Sequence, residues 1–127
     1  MIADIEHQYD TNNFKGKFVI VPMPEVAIRI VGVEVRDDKL YQVLVQNIGD
    51  SDLWFSGFES SWAVCIKRGD GSIISPSVTG VTRNTPLTRN SVMRIYVDPT
   101  RLYLQSGPVK ITVNGPEGTS ASYTIEP

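Results

Sequence analysis

The chain has 127 residues, of which 41% are hydrophobic and 20% charged, enough for one folded domain with its own core and too apolar for a disordered chain. Its formal net charge is −2, and its cations (Arg29, Arg36, Lys67, Arg68, Arg83, Arg89 among them) are scattered, so nucleic acid is not an expected partner. The single cysteine, Cys65, excludes an internal disulfide, and no run approaches the roughly 18 apolar residues of a membrane span.

In chain order, the first residues, Met1-Ile2-Ala3-Asp4-Ile5-Glu6-His7, lack the apolar region of a secretory signal. The polar stretch 6–17 has no core role. Residues 1–16 are therefore read as a lead-in that follows an apolar anchor further upstream, and 17–127 as the folded domain. The first strand is Lys17-Phe18-Val19-Ile20-Val21, which stops at Pro22-Met23-Pro24 because proline cannot donate to a ladder. The run 26–36 is apolar with Gly32 inside it, and the apolar phase changes there, which predicts a bulge. Asp37-Asp38 predicts a tight turn into a strand over 41–46, with Tyr41, Val43 and Val45 on one face.

A polar turn at 47–52 leads to Leu53-Trp54-Phe55-Ser56-Gly57-Phe58. Residues 61–67 then alternate, with Trp62, Val64 and Ile66 on one face and Cys65 as a small buried residue. Arg68-Gly69-Asp70-Gly71 predicts a hairpin into Ser72-Ile73-Ile74. A weaker strand is expected within 77–82, and a clear one over 91–97 that ends at Asp98-Pro99. A short helical turn is expected within 99–104. The last two strands, 109–114 and 119–125, flank Gly115-Pro116-Glu117-Gly118. Short strands at intervals of about 8–12 residues, with no sustained helical period, predict an all-β fold: an immunoglobulin-like two-sheet β-sandwich of about 7–9 strands.

Chemistry is sparse. Nucleophilic catalysis wants a base beside the nucleophile, most often histidine, and the one histidine, His7, lies in the polar lead-in. One histidine and one cysteine do not make a zinc site of the usual kind. The carboxylates Asp37, Asp38, Asp50, Asp52 and Asp70 fall in turns, where aspartate bonds nearby backbone N–H groups. Asp50-Ser51-Asp52 offers oxygens to a hard cation but lacks the spacing of an EF-hand loop. No catalytic residue, metal or cofactor is expected.

Two places break the in/out alternation. In Ser91-Val92-Met93-Arg94-Ile95-Tyr96-Val97 one face, Met93, Ile95 and Val97, suits the core, and the other offers Val92 and Tyr96 with Arg94 between them. Such a pair on a solvent face points to a partner surface. Trp54 and Phe55 are adjacent, so an extended chain sends them in opposite directions and exposes one. An exposed tryptophan suits a protein interface or sugar stacking. The candidate interface residues are thus Val92, Arg94, Tyr96, Trp54 and Phe55, and an unblocked sheet edge would invite a further strand.

Tyr41-Gln42-Val43-Leu44-Val45-Gln46-Asn47-Ile48-Gly49 resembles the V-x-V-x-N-x-G strand and turn of archaeal surface-filament proteins. The stretch from Val109-Lys110-Ile111-Thr112-Val113-Asn114-Gly115-Pro116 through Ala121-Ser122-Tyr123 is similar to their closing hairpin. The chain from about residue 28 onward resembles the soluble domains of archaellum accessory proteins of the FlaG/FlaF type, FlaG slightly more than FlaF, with archaellins and archaeal pilins close behind. This resemblance implies a sandwich outside the cytoplasmic membrane, held by an upstream membrane helix. It implies self-assembly, pairing with a sister archaellum subunit, and a stationary link from the rotary motor to the S-layer. The competing expectations are a filament subunit and a carbohydrate-binding module.

Overall fold

The computed structural model describes residues 26–56, 63–81 and 84–127. His7, Trp62, Arg83, the strand expected at 17–21 and its Pro22-Met23-Pro24 stop lie outside the described residues. Eight strands occur in the described part: β1 (Ile28–Arg36), β2 (Lys39–Asn47), β3 (Val64–Lys67), β4 (Ile73–Ile74), β5 (Val78–Thr79), β6 (Val92–Arg101), β7 (Val109–Asn114) and β8 (Ser120–Ile125). They form two antiparallel four-stranded sheets, β1-β2-β6-β5 and β4-β3-β7-β8. The expected all-β, two-sheet sandwich is the fold of the chain.

The strands are set by period two. In β6, Met93, Ile95 and Val97 are buried, while Val92, Arg94 and Tyr96 are exposed. In β7, Val109, Ile111 and Val113 are buried with Lys110 and Asn114 outside. Between the sheets these residues meet Val43, Val45, Val64 and Ile66 in one core. Each such side chain contributes about 1.5–3 kcal/mol when fully buried.

Turn chemistry fixes the register. Asp37 and Asp38 take left-handed φ of 52° and 64°, the geometry of a two-residue hairpin turn matched to strand twist. The predicted bulge occurs between Ile30 and Gly32. A second irregularity in β2, between Leu40 and Gln42, brings Leu40 into the core at 0% exposure and leaves Tyr41 half-buried under the Arg36 guanidinium, 4.3 Å from its ring centroid. Tyr41 therefore does not continue the Val43–Val45 face.

Two further expectations are corrected. Strand β6 runs through Asp98-Pro99 to Arg101 instead of ending there. Opposite this segment the β2–β6 ladder is interrupted, so no partner in β2 asks for the N–H that Pro99 lacks. The short helical turn lies at Leu104–Ser106, sharing only Leu104 with the expected 99–104. It forms where the Asp38 carboxylate accepts hydrogen bonds from the N–H groups of Tyr103 (3.0 Å) and Leu104 (2.9 Å).

Candidate protein-interaction surface

The outer face of the first sheet is built by cross-strand neighbours. Val92 stands opposite Gln46, Arg94 opposite Leu44, and Tyr96 between Gln42 on β2 and Thr79 on β5. Val92 is 46% and Tyr96 48% exposed. Val31, the extra residue of the β1 bulge, is also exposed. The three β6 residues expected on one solvent face are brought together there.

The polar members of this face are tied to one another. Gln42 donates to Glu34 (2.9 Å) and accepts from Arg94 Nη1 at the longer distance of 3.4 Å, and Glu34 pairs with Arg36 (3.3 Å). Arg29 donates to the Gln46 side chain (3.0 Å), which donates to the Asn90 carbonyl (3.1 Å). These exposed ion pairs and hydrogen bonds add little stability. They do hold the long polar side chains along the sheet, leaving Val92 and Tyr96 as the apolar points of β6, with Val31 exposed on β1.

Tyr96 has a second support. Gly80 has φ of +80°, and a Cβ there would lie 2.5 Å from Cδ2 of Tyr96. The bare backbone of Gly80 is the shelf on which the ring rests. A ring already held in place loses less conformational freedom when a partner covers it. Nothing local in the sequence signals this contact, because Gly80 and Tyr96 meet only through the β5–β6 pairing.

Trp54 and Phe55 separate as adjacent extended residues do. Trp54 is 51% exposed, whereas Phe55 is 1% exposed and belongs to the core. Phe55 is thereby corrected from candidate contact to core residue, placed by the Leu53–Leu87 bridge that fastens the loop, with N–H to carbonyl distances of 3.1 and 2.7 Å. Cys65 lies on the outer side of β3 opposite Thr112, only partly buried. Partial burial pushes its thiol pKa up, which disfavours the reactive thiolate. Asp70 accepts hydrogen bonds from the hydroxyl (2.6 Å) and N–H (2.9 Å) of Ser72, and Asp50 pairs with Arg89 at 3.2 Å. Among the described residues no three His, Cys, Asp or Glu side chains are grouped to hold a metal ion, and no helix is long and apolar enough to cross a membrane.

The sheet edges differ in how they are protected. Edges β4 and β5 have two residues each, and β1 is bulged and carries Arg29, Glu34 and Arg36. Strand β8, Ser120-Ala121-Ser122-Tyr123-Thr124-Ile125, is six residues long, uncharged and free of proline, the least protected edge of the four that the described residues form.

No protein-family model matches the sequence, and no curated protein matches it. Solved structures do. The chain is similar to the archaellum periplasmic stator protein FlaG from Sulfolobus acidocaldarius, with a TM-score of 0.60 and 16% identity over 79% of this chain and 99% of that one. It is also similar to the archaellum periplasmic stator protein complex FlaF and FlaG from the same organism, with a TM-score of 0.61 and 15% identity over 87% of this chain and 99% of that one. At this identity the likeness is one of fold, and it extends over nearly the whole of both stator chains.

Proposed function

We propose that the chain is an extracytoplasmic structural protein of the archaeal motility apparatus, of the archaellum stator type. The observation that carries this reading is the fold it shares with FlaG over 99% of that chain. The shared fold with a chain of the FlaF and FlaG complex supports pairing with a sister subunit. In this reading the sandwich stands outside the cytoplasmic membrane, tethered by sequence upstream of the domain, and links the motor to the S-layer through copies of itself and the sister subunit.

The task is mechanical, and it asks for adhesion under torque rather than an active site. A rigid sheet face with an apolar pair and a fixed polar frame suits it, because packed cores transmit strain and buried aromatic anchors carry binding energy. Val92 and Tyr96 are assigned as the anchors, with Arg94 as the charged member that sets register. Deletion of the gene in its own organism is expected to abolish swimming on soft agar, with recovery on re-expression. Swimming at the wild-type rate in the deletion strain would overturn the assignment.

A second reading, carbohydrate binding, is favoured by one observation, the 51% exposure of Trp54. It requires quenching of Trp54 fluorescence on addition of envelope glycans, abolished in Trp54→Ala.

A further inference from the structure

The outer face of the second sheet differs in character from the face just described. Its register places one transverse row at the hairpin end: Ile73, Lys67, Lys110 and Thr124, on β4, β3, β7 and β8. Lys67 and Lys110 are directly opposite each other. Like charges in that position repel, and a sheet gains nothing from them. Neither lysine has an ion-pair partner among the described residues. The rest of this face carries Cys65, Thr112, Asn114, Ser120 and Ser122, so no strand residue on it supplies a carboxylate.

Beside the lysine pair the β3–β4 hairpin and Pro108 border an open, shallow depression of ≈ 540 Å³, which Arg68, Lys67, Lys110 and Thr124 also line. The Arg68 guanidinium lies over the Tyr103 ring at 4.7 Å, and its buried Nε has no hydrogen-bond partner. The carboxylate in the depression, Asp70, is held by Ser72 on the hairpin turn, with the field of Arg68 lowering its pKa further. Three cations thus border one hollow against a single carboxylate. The chain as a whole is acidic, so this concentration of positive charge is local.

We infer that this hollow binds a phosphate-type oxyanion, held between Lys67 and Lys110 with Arg68 at one side and the Thr124 hydroxyl at the other. An anion there removes the repulsion within the lysine pair and meets charge-assisted donors from three strands and a turn. The shared chemistry is a phosphate group, free in solution or carried on a lipid headgroup.

The test is an amide-resonance titration of the isotope-labelled chain with inorganic pyrophosphate at constant ionic strength, and in parallel co-sedimentation with phosphatidylcholine vesicles with and without phosphatidylglycerol. The site predicts saturable shifts at residues 67–71, 110 and 124, weakened about tenfold in Lys110→Gln and unchanged in Arg94→Gln. Vesicle binding that needs both phosphatidylglycerol and Lys110 assigns the headgroup as the source; saturable pyrophosphate shifts without vesicle binding assign the free anion. If neither probe binds saturably, the inference is overturned. Binding that survives intact in Lys110→Gln, or shifts Arg29 and Arg94 as strongly, also overturns it, since those results describe diffuse charge attraction.

Discussion

Asp38 and Leu104 lie 66 positions apart in the sequence and are joined by a hydrogen bond of 2.9 Å from the Leu104 N–H to the Asp38 carboxylate. The other carboxylate oxygen takes the Tyr103 N–H at 3.0 Å, and the Asp38 backbone carbonyl takes the Leu102 N–H at 2.8 Å. One residue of the β1–β2 hairpin therefore organises the crossing from β6 to β7. Asp38→Ala keeps the chain length but removes both side-chain acceptors and disfavours the left-handed φ. The expected loss is about 1–2 kcal/mol, read as a lower urea midpoint with an unchanged slope. A midpoint equal to that of the wild type would show that water replaces Asp38 without penalty.

Asn47 gives the V-x-V-x-N-x-G stretch its physical meaning. It is fully buried, donates from Nδ2 to the carbonyls of Ser51 (2.9 Å) and Leu87 (2.8 Å), and accepts the Gly49 N–H (3.0 Å) through Oδ1. Only an amide satisfies that set. Asn47→Asp sets a carboxylate against two carbonyl oxygens and is expected to cost about 3–5 kcal/mol at neutral pH. Asn47→Ala is expected to cost about 2–3 kcal/mol, the desolvation of the groups left unpaired. Denaturant unfolding of both variants checks the order, and a milder loss for Asp than for Ala would contradict it.

The Asp70 carboxyl is held below its ordinary pKa of 3.8, first by the Ser72 hydroxyl and then by the Ser72 N–H. A depressed folded-state pKa stabilises the hairpin above the unfolded-state pKa, and the contribution is lost as pH falls through the lower folded value. Carboxyl resonances followed during acid titration should show Asp70 protonating after a free aspartate does. Ser72→Ala should move it back toward the ordinary value. A curve unmoved by Ser72→Ala would reject the hydrogen bond as the cause.

The lysine pair makes a prediction with the opposite sign to most substitutions. Lys67→Glu replaces repulsion with attraction across β3 and β7 and is expected to stabilise the fold by up to about 1 kcal/mol. Added salt should raise the thermal midpoint of the wild type relative to the variant, because screening removes both the penalty and the gain. A variant less stable than the wild type at low salt would mean that the two side chains avoid each other in solution.

Features with a strict period were legible in the sequence, and features made by distant partners were not. The alternation through Val92, Met93, Arg94, Ile95, Tyr96 and Val97 announced both the core side and the solvent side of β6, and the phase change at Gly32 announced its bulge. Pro99 read as a stop because the interruption in β2 that accommodates it is a property of another strand. The helical turn moved to Leu104–Ser106 because Asp38 anchors it from the far hairpin. Trp54 and Phe55 could be told apart only once the Leu53–Leu87 bridge was placed. The Gly80 shelf under Tyr96 and the Lys67–Lys110 pair are likewise invisible until the strands are in register.

The central claim is that the Val92–Tyr96 face holds the protein in its assembly. Sedimentation velocity of the wild type, Val92→Lys and Tyr96→Ala, each alone and mixed with the sister subunit, tests it most directly. Both side chains are about half exposed, so Val92→Lys should keep the wild-type thermal midpoint. Tyr96→Ala, which gives up its packing on Gly80, should stay folded with a lower one. Each should lose at least about 2 kcal/mol of association, a shift of roughly thirtyfold in concentration. Folded variants that assemble at the same concentration as the wild type would contradict the account.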